Sequence, residues 1–324
     1  MVDISIIIPV YNSSLYLEEC IGSLYRQGIG NERFEVLLID DGSTDNSLSI
    51  AEKLAIKYGN IKIFHQENQG QAVARNLGID KAWGRYLMFV DSDDYILDGS
   101  LLPLINQISN KDLDCLGFGI EFENSTGKII NSIKHIPNGE IYSGEHAVLN
   151  FDIIGSVCSY IFKTSILIEN NIRFKKGFVH EDAEFCLRIF PKIKTISFSN
   201  KIAYHYCYNP SSTDRSSNID SIIKRINSDL IIACEIKKHI SSGDFSKSIA
   251  NHYDKISNSL IVSHYLSIFK VKHSYQIELS YFSFIKNFNC FPIKGRCNSF
   301  LSTVFSKFIN LHIFILRVIH EVKK

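Results

Sequence analysis

The chain carries four short runs whose residue types suit charged, phosphorylated ligands. Asp91-Ser92-Asp93-Asp94 follows the apolar stretch Tyr86–Val90 directly. Carboxylates two apart on an extended chain share a face, so Asp91 and Asp93 at the open end of a strand predict a hard-oxygen site for a divalent cation. Asp40-Asp41-Gly42-Ser43-Thr44-Asp45 also follows an apolar run. Its composition suits a turn and helix cap, and equally an acidic cluster that needs a cation or strong donors. In Asn68-Gln69-Gly70-Gln71-Ala72-Val73-Ala74-Arg75-Asn76-Leu77-Gly78, Gly70 permits an unusual backbone at a helix entrance. Arg75 lies one to two turns further on, as a salt-bridge partner for the acidic rim or as a donor to a ligand's phosphate or base. Finally, His180-Glu181-Asp182 opens a helix. Carboxylates there suit the helix dipole, and one can also serve as a base in group transfer.

The elements that must position these runs alternate. Ile4–Val10 reads as a buried parallel strand, followed by a helix capped at Ser13 or Ser14, with Leu17, Ile21 and Leu24 on its apolar face and Gly28 at its end. Strands at Glu35–Ile39, Ile61–Phe64 and Tyr86–Val90 alternate with helices from about Asp45 (apolar face Leu48, Ala51, Ala55, Tyr58) and over Gln71–Ala82. This order predicts an α/β fold with a mostly parallel sheet, whose ligands sit beyond the carboxyl ends of the strands. Later pieces are shorter: strands at Asp114–Phe122 and Lys128–Ile133 around a turn at Ser125-Thr126-Gly127, a helix over His180–Phe190, and strands at Thr195–Phe198 and Ile202–Cys207. From about residue 218 the spacing is helical. The polar stretch Asn209-Pro210-Ser211-Ser212-Thr213 predicts the boundary.

Taken together, Pro9-Val10-Tyr11-Asn12, the Asp40–Asp45 run, the Gly70–Gly78 helix and Asp91–Asp94 resemble, in order, the motifs of the family 2 glycosyltransferases. The resemblance covers residues 3–95 and implies a GT-A fold, a Rossmann-like nucleotide-binding sheet. It implies that Pro9, Tyr11, Asp40, Asp41, Arg75 and Ser92 form the nucleotide site. Tyr11 and Asp41, with Asp40 nearby, would hold the base, and Arg75 would contact the nucleotide. Asp91 and Asp93, with Asp94 beside them, would bring Mn2+ or Mg2+ to the diphosphate of a UDP-hexose or UDP-N-acetylhexosamine. Glu181-Asp182 before Leu187-Arg188 resembles the family's Glu-Asp pair, with Asp182 as catalytic base. Tyr204-His205-Tyr206 and Ser211–Arg215 resemble, more loosely, a loop over the diphosphate, placing His205 and Arg215 there. No Gly-x-Gly-x-x-Gly follows the first strand, so a dinucleotide site lacks its phosphate turn.

Composition narrows the rest. With 45% hydrophobic and 21% charged residues, 18 Gly and 6 Pro, the chain excludes a disordered or collagenous protein. Two domains are expected: 1–215 (1–95 for the nucleotide-sugar, 96–215 for the acceptor) and a helical region over 216–324. Eight scattered cysteines without a CxxC pair predict buried reduced thiols. Residues 221–324 carry 15 Lys and Arg against 6 Asp and Glu, a net +9; residues 1–220 are therefore −8 in a chain of +1. An acidic front excludes nucleic acid as a partner, while the basic rear suits anionic lipid or simply solvated helices. The last helix shows a thin polar stripe (Ser299, Thr303, Ser306, Asn310) in a broad apolar arc, for packing or a membrane interface. A first strand where a leader would stand, and the lack of a spanning run, predict a cytoplasmic enzyme, peripheral on the inner membrane face. By resemblance the expected activity is inverting transfer of a hexose to a lipid-linked oligosaccharide or polysaccharide. Polyprenyl-diphosphate-linked sugars of O-antigen or capsule synthesis are the acceptors it implies. The rivals are a sugar-nucleotide nucleotidyltransferase and a non-catalytic sugar-nucleotide or glycan binder.

Overall fold

The computed structural model describes residues 2–134, 139–153, 155–177, 179–210, 219–268, 293–299 and 302–310. The described residues of 1–177 and 181–215 form one compact unit, and those of 178–180 and 216–324 a second.

In the first unit β1 (Ile4–Val10) and β2 (Phe34–Asp40) are buried along their whole length, as apolar β-branched runs covered on both faces should be. With β3 (Ile61–His65) and β4 (Tyr86–Phe89) they form the parallel part of a nine-stranded sheet. The crossover helices are α1 (Leu17–Leu24), α2 (Ser47–Tyr58) and α3 (Gln71–Lys81). Then follow β5 (Tyr95–Ile96), α4 (Leu101–Asn110), β6 (Cys115–Glu123), β7 (Ile129–Ile133), α5 (Gly144–Asn150), β8 (Tyr160–Lys163), α6 (Thr164–Glu169), α7 (Glu181–Ile189) and β9 (Ile196–Tyr206). The sheet order is β3-β2-β1-β4-β8-β6-β9-β5, with β7 added to β6. Antiparallel β8 joins the parallel half to β6, which runs parallel to β9.

Helix α3 approaches the sheet closely because Gly78 lacks a side chain: a Cβ there would stand 2.3 Å from Ile7 Cγ2. Gly78→Val is therefore expected to cost roughly 1–3 kcal/mol in urea denaturation, the usual scale of overpacking. An unchanged midpoint would mean that α3 does not pack on β1 through this residue.

Several local expectations need correcting. Neither Ser13 nor Ser14 caps α1: the Ser13 hydroxyl bonds Ser92 Oγ at 2.6 Å, and Ser14 N–H donates to Asp45. Helix α1 ends at Leu24, before Gly28. The buried face of α2 is Ser47, Ala51 and Leu54, with Leu48, Ala55 and Tyr58 only partly covered. Thr195–Phe198 and Ile202–Cys207 are one strand, β9, whose polar middle is accommodated by register shifts against β6. Short β5, α4, α5, β8 and α6 were not anticipated.

In the second unit α8 (Ile219–Ser241) and α9 (Lys247–Ile268) enclose a core of Leu230, Ala233, Ile261, Val262, Ile293 and Ile309. Residues 302–310 are helical, and the polar stripe turns inward: Ser306 is buried and Asn310 exchanges two 2.9 Å hydrogen bonds with the Ile293 backbone. Phe305 and Phe308 face outward, Phe308 being 63% exposed. The rest of the predicted last helix, from 311, and the boundary stretch from Ser211 lie outside the described residues, as does Arg215. Among the described residues six cysteines are free thiols, whereas Cys234 is disulfide-bonded, which corrects the expectation of reduced thiols throughout. Among the described residues no helix is long and apolar enough to cross a membrane.

Candidate functional site

Parallel register sets the ends of β1, β2 and β4 side by side: Val10 pairs with Asp40, and Ile7 with Phe89. Past these ends the loops interlock. Asn12, at φ 50°, accepts the Thr44 N–H at 2.8 Å and donates its own N–H to Ser43 Oγ at 3.1 Å. Asp40 is buried, with Oδ2 2.6 Å from His65 Nδ1 and Oδ1 accepting the Ser43 N–H. Asp41, also buried, accepts from Gln66 Nε2 (2.7 Å) and from the Gln69 and Gly70 N–H groups (2.8 Å each). Expected to hold a base, both aspartates bond the protein's own donors here, because buried carboxylates claim the nearest N–H groups. Asp41 thereby anchors the entrance of α3, where Gly70 takes φ 92°, a conformation side chains disfavour. Pro9 is buried inside β1 opposite Ile39. Ser92 is buried, its hydroxyl 2.6 Å from that of Ser13. Tyr11, just past the end of β1, is 50% exposed.

Arg75 is the centre of the site. It is 1% exposed and joins three carboxylates from distant parts of the chain. Its Nη2 donates to Asp91 Oδ1 at 2.7 Å, and Nη1 donates to Glu181 Oε1 at 2.7 Å and to Asp182 Oδ1 at 2.5 Å. Its Nε has no partner among the described residues, and the guanidinium carbon lies 5.3 Å from the Phe174 ring centre. Gln71 adds a further donor to Glu181. One buried cation facing three anions leaves an acidic excess, which shows at Asp182. Burial pushes this carboxyl up to about 7; Arg75 pulls it down, while Glu181 and Asp91 push it further up. The Asp182 side chain remains 18% exposed, and its Oδ2 accepts the Val157 N–H at 3.3 Å. A carboxyl ionising near neutrality, with one edge open, is suited to taking a proton.

The Asp91–Asp94 segment is not extended. The Asp94 N–H donates to the Asp91 carbonyl at 3.1 Å, closing a turn, so alternate carboxylates do not share a face. Asp91 goes to Arg75, whereas Asp93 Oδ2 accepts from Asn209 Nδ2 at 2.8 Å. The expected Asp91/Asp93 pair is thus divided by the turn. A divalent cation still fits the donor chemistry, since hard carboxylate oxygens crowd together here. Asp94 is held well above the ordinary carboxyl range by burial and then by Asp93 and Asp91. Buried Tyr204 braces the turn, donating to Asp94 Oδ2 at 2.6 Å and accepting the Asp91 N–H at 3.1 Å. His205 lies elsewhere, between Glu121 and Glu123. Gln71, Tyr204 and Asn209 join the site beyond the residues the motifs imply; the first two lie inside those motifs, but nothing in sequence distance ties Asn209 to Asp93.

Comparison with known proteins bears on this site. Residues 5–167 match glycosyl transferase family 2. The chain belongs to that family. A cholesterol galactosyltransferase of Borreliella burgdorferi is 34% identical over 215 residues, covering 62% of this chain and 59% of the relative. The poly(ribitol-phosphate) beta-N-acetylglucosaminyltransferase TarS of Staphylococcus aureus is 32% identical over 210 residues, 64% of this chain and 35% of the relative. The match thus spans less than two thirds of these relatives' lengths. The crystal structure of S. aureus TarS 1-349 with UDP-GlcNAc superimposes with a TM-score of 0.69 at 26% identity, over 89% of this chain and 81% of that one. The fold of this family 2 chain is accordingly GT-A, as its motifs implied.

Proposed function

We propose that this chain transfers a sugar from a UDP-sugar to an acceptor hydroxyl with inversion at the anomeric carbon. The observation that carries this reading is Asp182, a partly exposed carboxyl pushed up to about 7 and bonded to Arg75. Family membership and the UDP-GlcNAc complex of TarS support the donor class. In this reading Asp182 accepts the acceptor hydroxyl's proton as that oxygen attacks the anomeric carbon, and the bond from that carbon to the diphosphate oxygen breaks on the opposite face. Arg75 fixes the orientation of Asp182 and keeps part of it ionised. Half-exposed Tyr11 offers a ring face to the base. Asp93 would hold Mn2+ or Mg2+, which would supply positive charge to offset the negative charge of the leaving diphosphate.

The acceptor we favour is a glycan or hydroxylated polymer, carried on lipid or free, as in surface polysaccharide synthesis. Outward Phe305 and Phe308 around Lys307 suit peripheral contact with an anionic membrane, on the cytoplasmic face where polyprenyl-diphosphate carriers are loaded. The test is UDP release from a panel of UDP-hexoses and UDP-N-acetylhexosamines with Mn2+. Release from one or two donors is expected, and Asp93→Asn should raise the Mn2+ needed for half-maximal rate roughly 10-fold or more. A non-catalytic binder releases nothing above the Asp182→Asn background. A nucleotidyltransferase instead makes UDP-sugar from UTP and sugar phosphate. Either result overturns the proposal.

A further inference from the structure

We propose that Glu123, His205 and Cys207 form a transition-metal site of zinc type, chemically distinct from the carboxylate site expected at Asp91 and Asp93. The topology brings the three together. Strands β6 and β9 run parallel with Glu121 opposite His205. Since residues two apart share a face, Glu121 and Glu123 line one side of β6, and His205 and Cys207 the matching side along β9 and its exit. One ligand atom from each of Glu123, His205 and Cys207 lies within 4.8 Å of the other two.

The surroundings select both the atoms and the metal. Glu121 Oε1 lies 2.8 Å from His205 Nδ1, so it holds the proton there and leaves the Nε2 lone pair for a metal. That carboxylate–imidazole pair is the usual support behind a metal-bound histidine. Nε2 lies 3.2 Å from Glu123 Oε2, while Glu123 Oε1 is taken by the Tyr208 N–H at 2.8 Å. The imidazole is buried and stacked on Tyr95, centroids 4.2 Å apart, so it cannot swing away. One imidazole, one thiolate and one carboxylate suit Zn2+ and disfavour Mg2+ or Ca2+, which take oxygen ligands. Three protein ligands leave a fourth position for water. On binding, the Cys207 Sγ–H bond gives way to a sulfur–metal bond and the proton passes to bulk water. The metal then pins the exit of β9, where the Cys207 N–H donates to Asp94 Oδ1 at 2.9 Å and Asn209 donates to Asp93.

Cobalt is the probe. Full-length protein titrated with Co2+ in the absence of nucleotide should take up one equivalent and develop a thiolate-to-cobalt charge-transfer band in the near ultraviolet. Added Zn2+ should bleach the band, and Mg2+ should not. Cys207→Ser should abolish it. Glu121→Gln should keep it while weakening Co2+ binding roughly 10–100-fold. Asp93→Asn should leave it unchanged, which separates this site from a metal serving the sugar nucleotide. Absence of the band with stoichiometric Co2+ overturns the proposal, and leaves His205 simply bonded between two carboxylates. A band that survives in Cys207→Ser, or disappears in Asp93→Asn, overturns it too. The proposal does not rest on sugar transfer, so a failed UDP-release assay leaves it standing.

Discussion

Asp182→Asn is expected to lower kcat by roughly 10²–10⁴-fold, the scale of a lost general base, while binding UDP-sugar as the native protein does. In the native protein kcat/KM should fall below a pH of about 7, where Asp182 takes up its proton. The same residue gives a stability prediction of opposite sign. Its carboxyl is raised to about 7 when folded, from about 4 in an unfolded chain, so the folded state holds the extra proton between those values. Stability therefore falls as pH rises through that window. The variant escapes this cost, and Arg75 keeps Asp91 and Glu181 as partners. At pH 8 the Tm of Asp182→Asn should thus exceed that of the native protein although its turnover has collapsed. Lost donor affinity with undiminished kcat would make Asp182 a binding residue, and the base would have to be sought elsewhere.

The legible parts of the fold and site are those governed by local rules. Ile4–Val10 and Glu35–Ile39 read as strands from their apolar runs, within one residue of the observed β1 and β2, and parallel connection then places the ends of β1, β2 and β4 together. That Arg75, Asp91 and Asp182 belong to one site follows from motif order once the family is recognised. What each carboxylate bonds does not follow. The extended-chain argument for Asp91 and Asp93 fails because Tyr204, more than a hundred residues on, stabilises a turn. Ser13 leaves its capping role for a partner, Ser92, that only folding brings near. Thr195–Phe198 and Ile202–Cys207 read as two strands because the polar run Ser199-Asn200-Lys201 between them mimics a turn, and pairing across β6 overrides it. Composition likewise could not reveal that Ser306 of the polar stripe is buried, or that Asn310 bonds the Ile293 backbone, since polar groups that find backbone partners can turn from solvent.

Removing the cation at the centre of the site should produce the largest loss of stability. Arg75→Met leaves Asp91, Glu181 and Asp182 without their shared donor, with Glu181 too buried for water to replace it. Breaking such a buried ion cluster costs about 3–5 kcal/mol. Methionine fills much of the volume, so the loss is electrostatic and must depend on pH. It should be greatest near pH 8 and shrink toward pH 5, as protonated carboxyls cease to repel one another. Arg75→Lys supplies a tighter test in a variant better able to fold. A single ammonium cannot reproduce the fork in which Nη2 serves Asp91 and Nη1 serves Glu181 and Asp182. Because Arg75 opposes the burial that raises Asp182, weakening it should move the acid limb of kcat/KM to higher pH. A merely structural arginine would lower Tm and leave that limb in place. If the limb of Arg75→Lys coincides with the native one, Arg75 does not control the ionisation of Asp182, and the place of Asp182 as base loses its physical support.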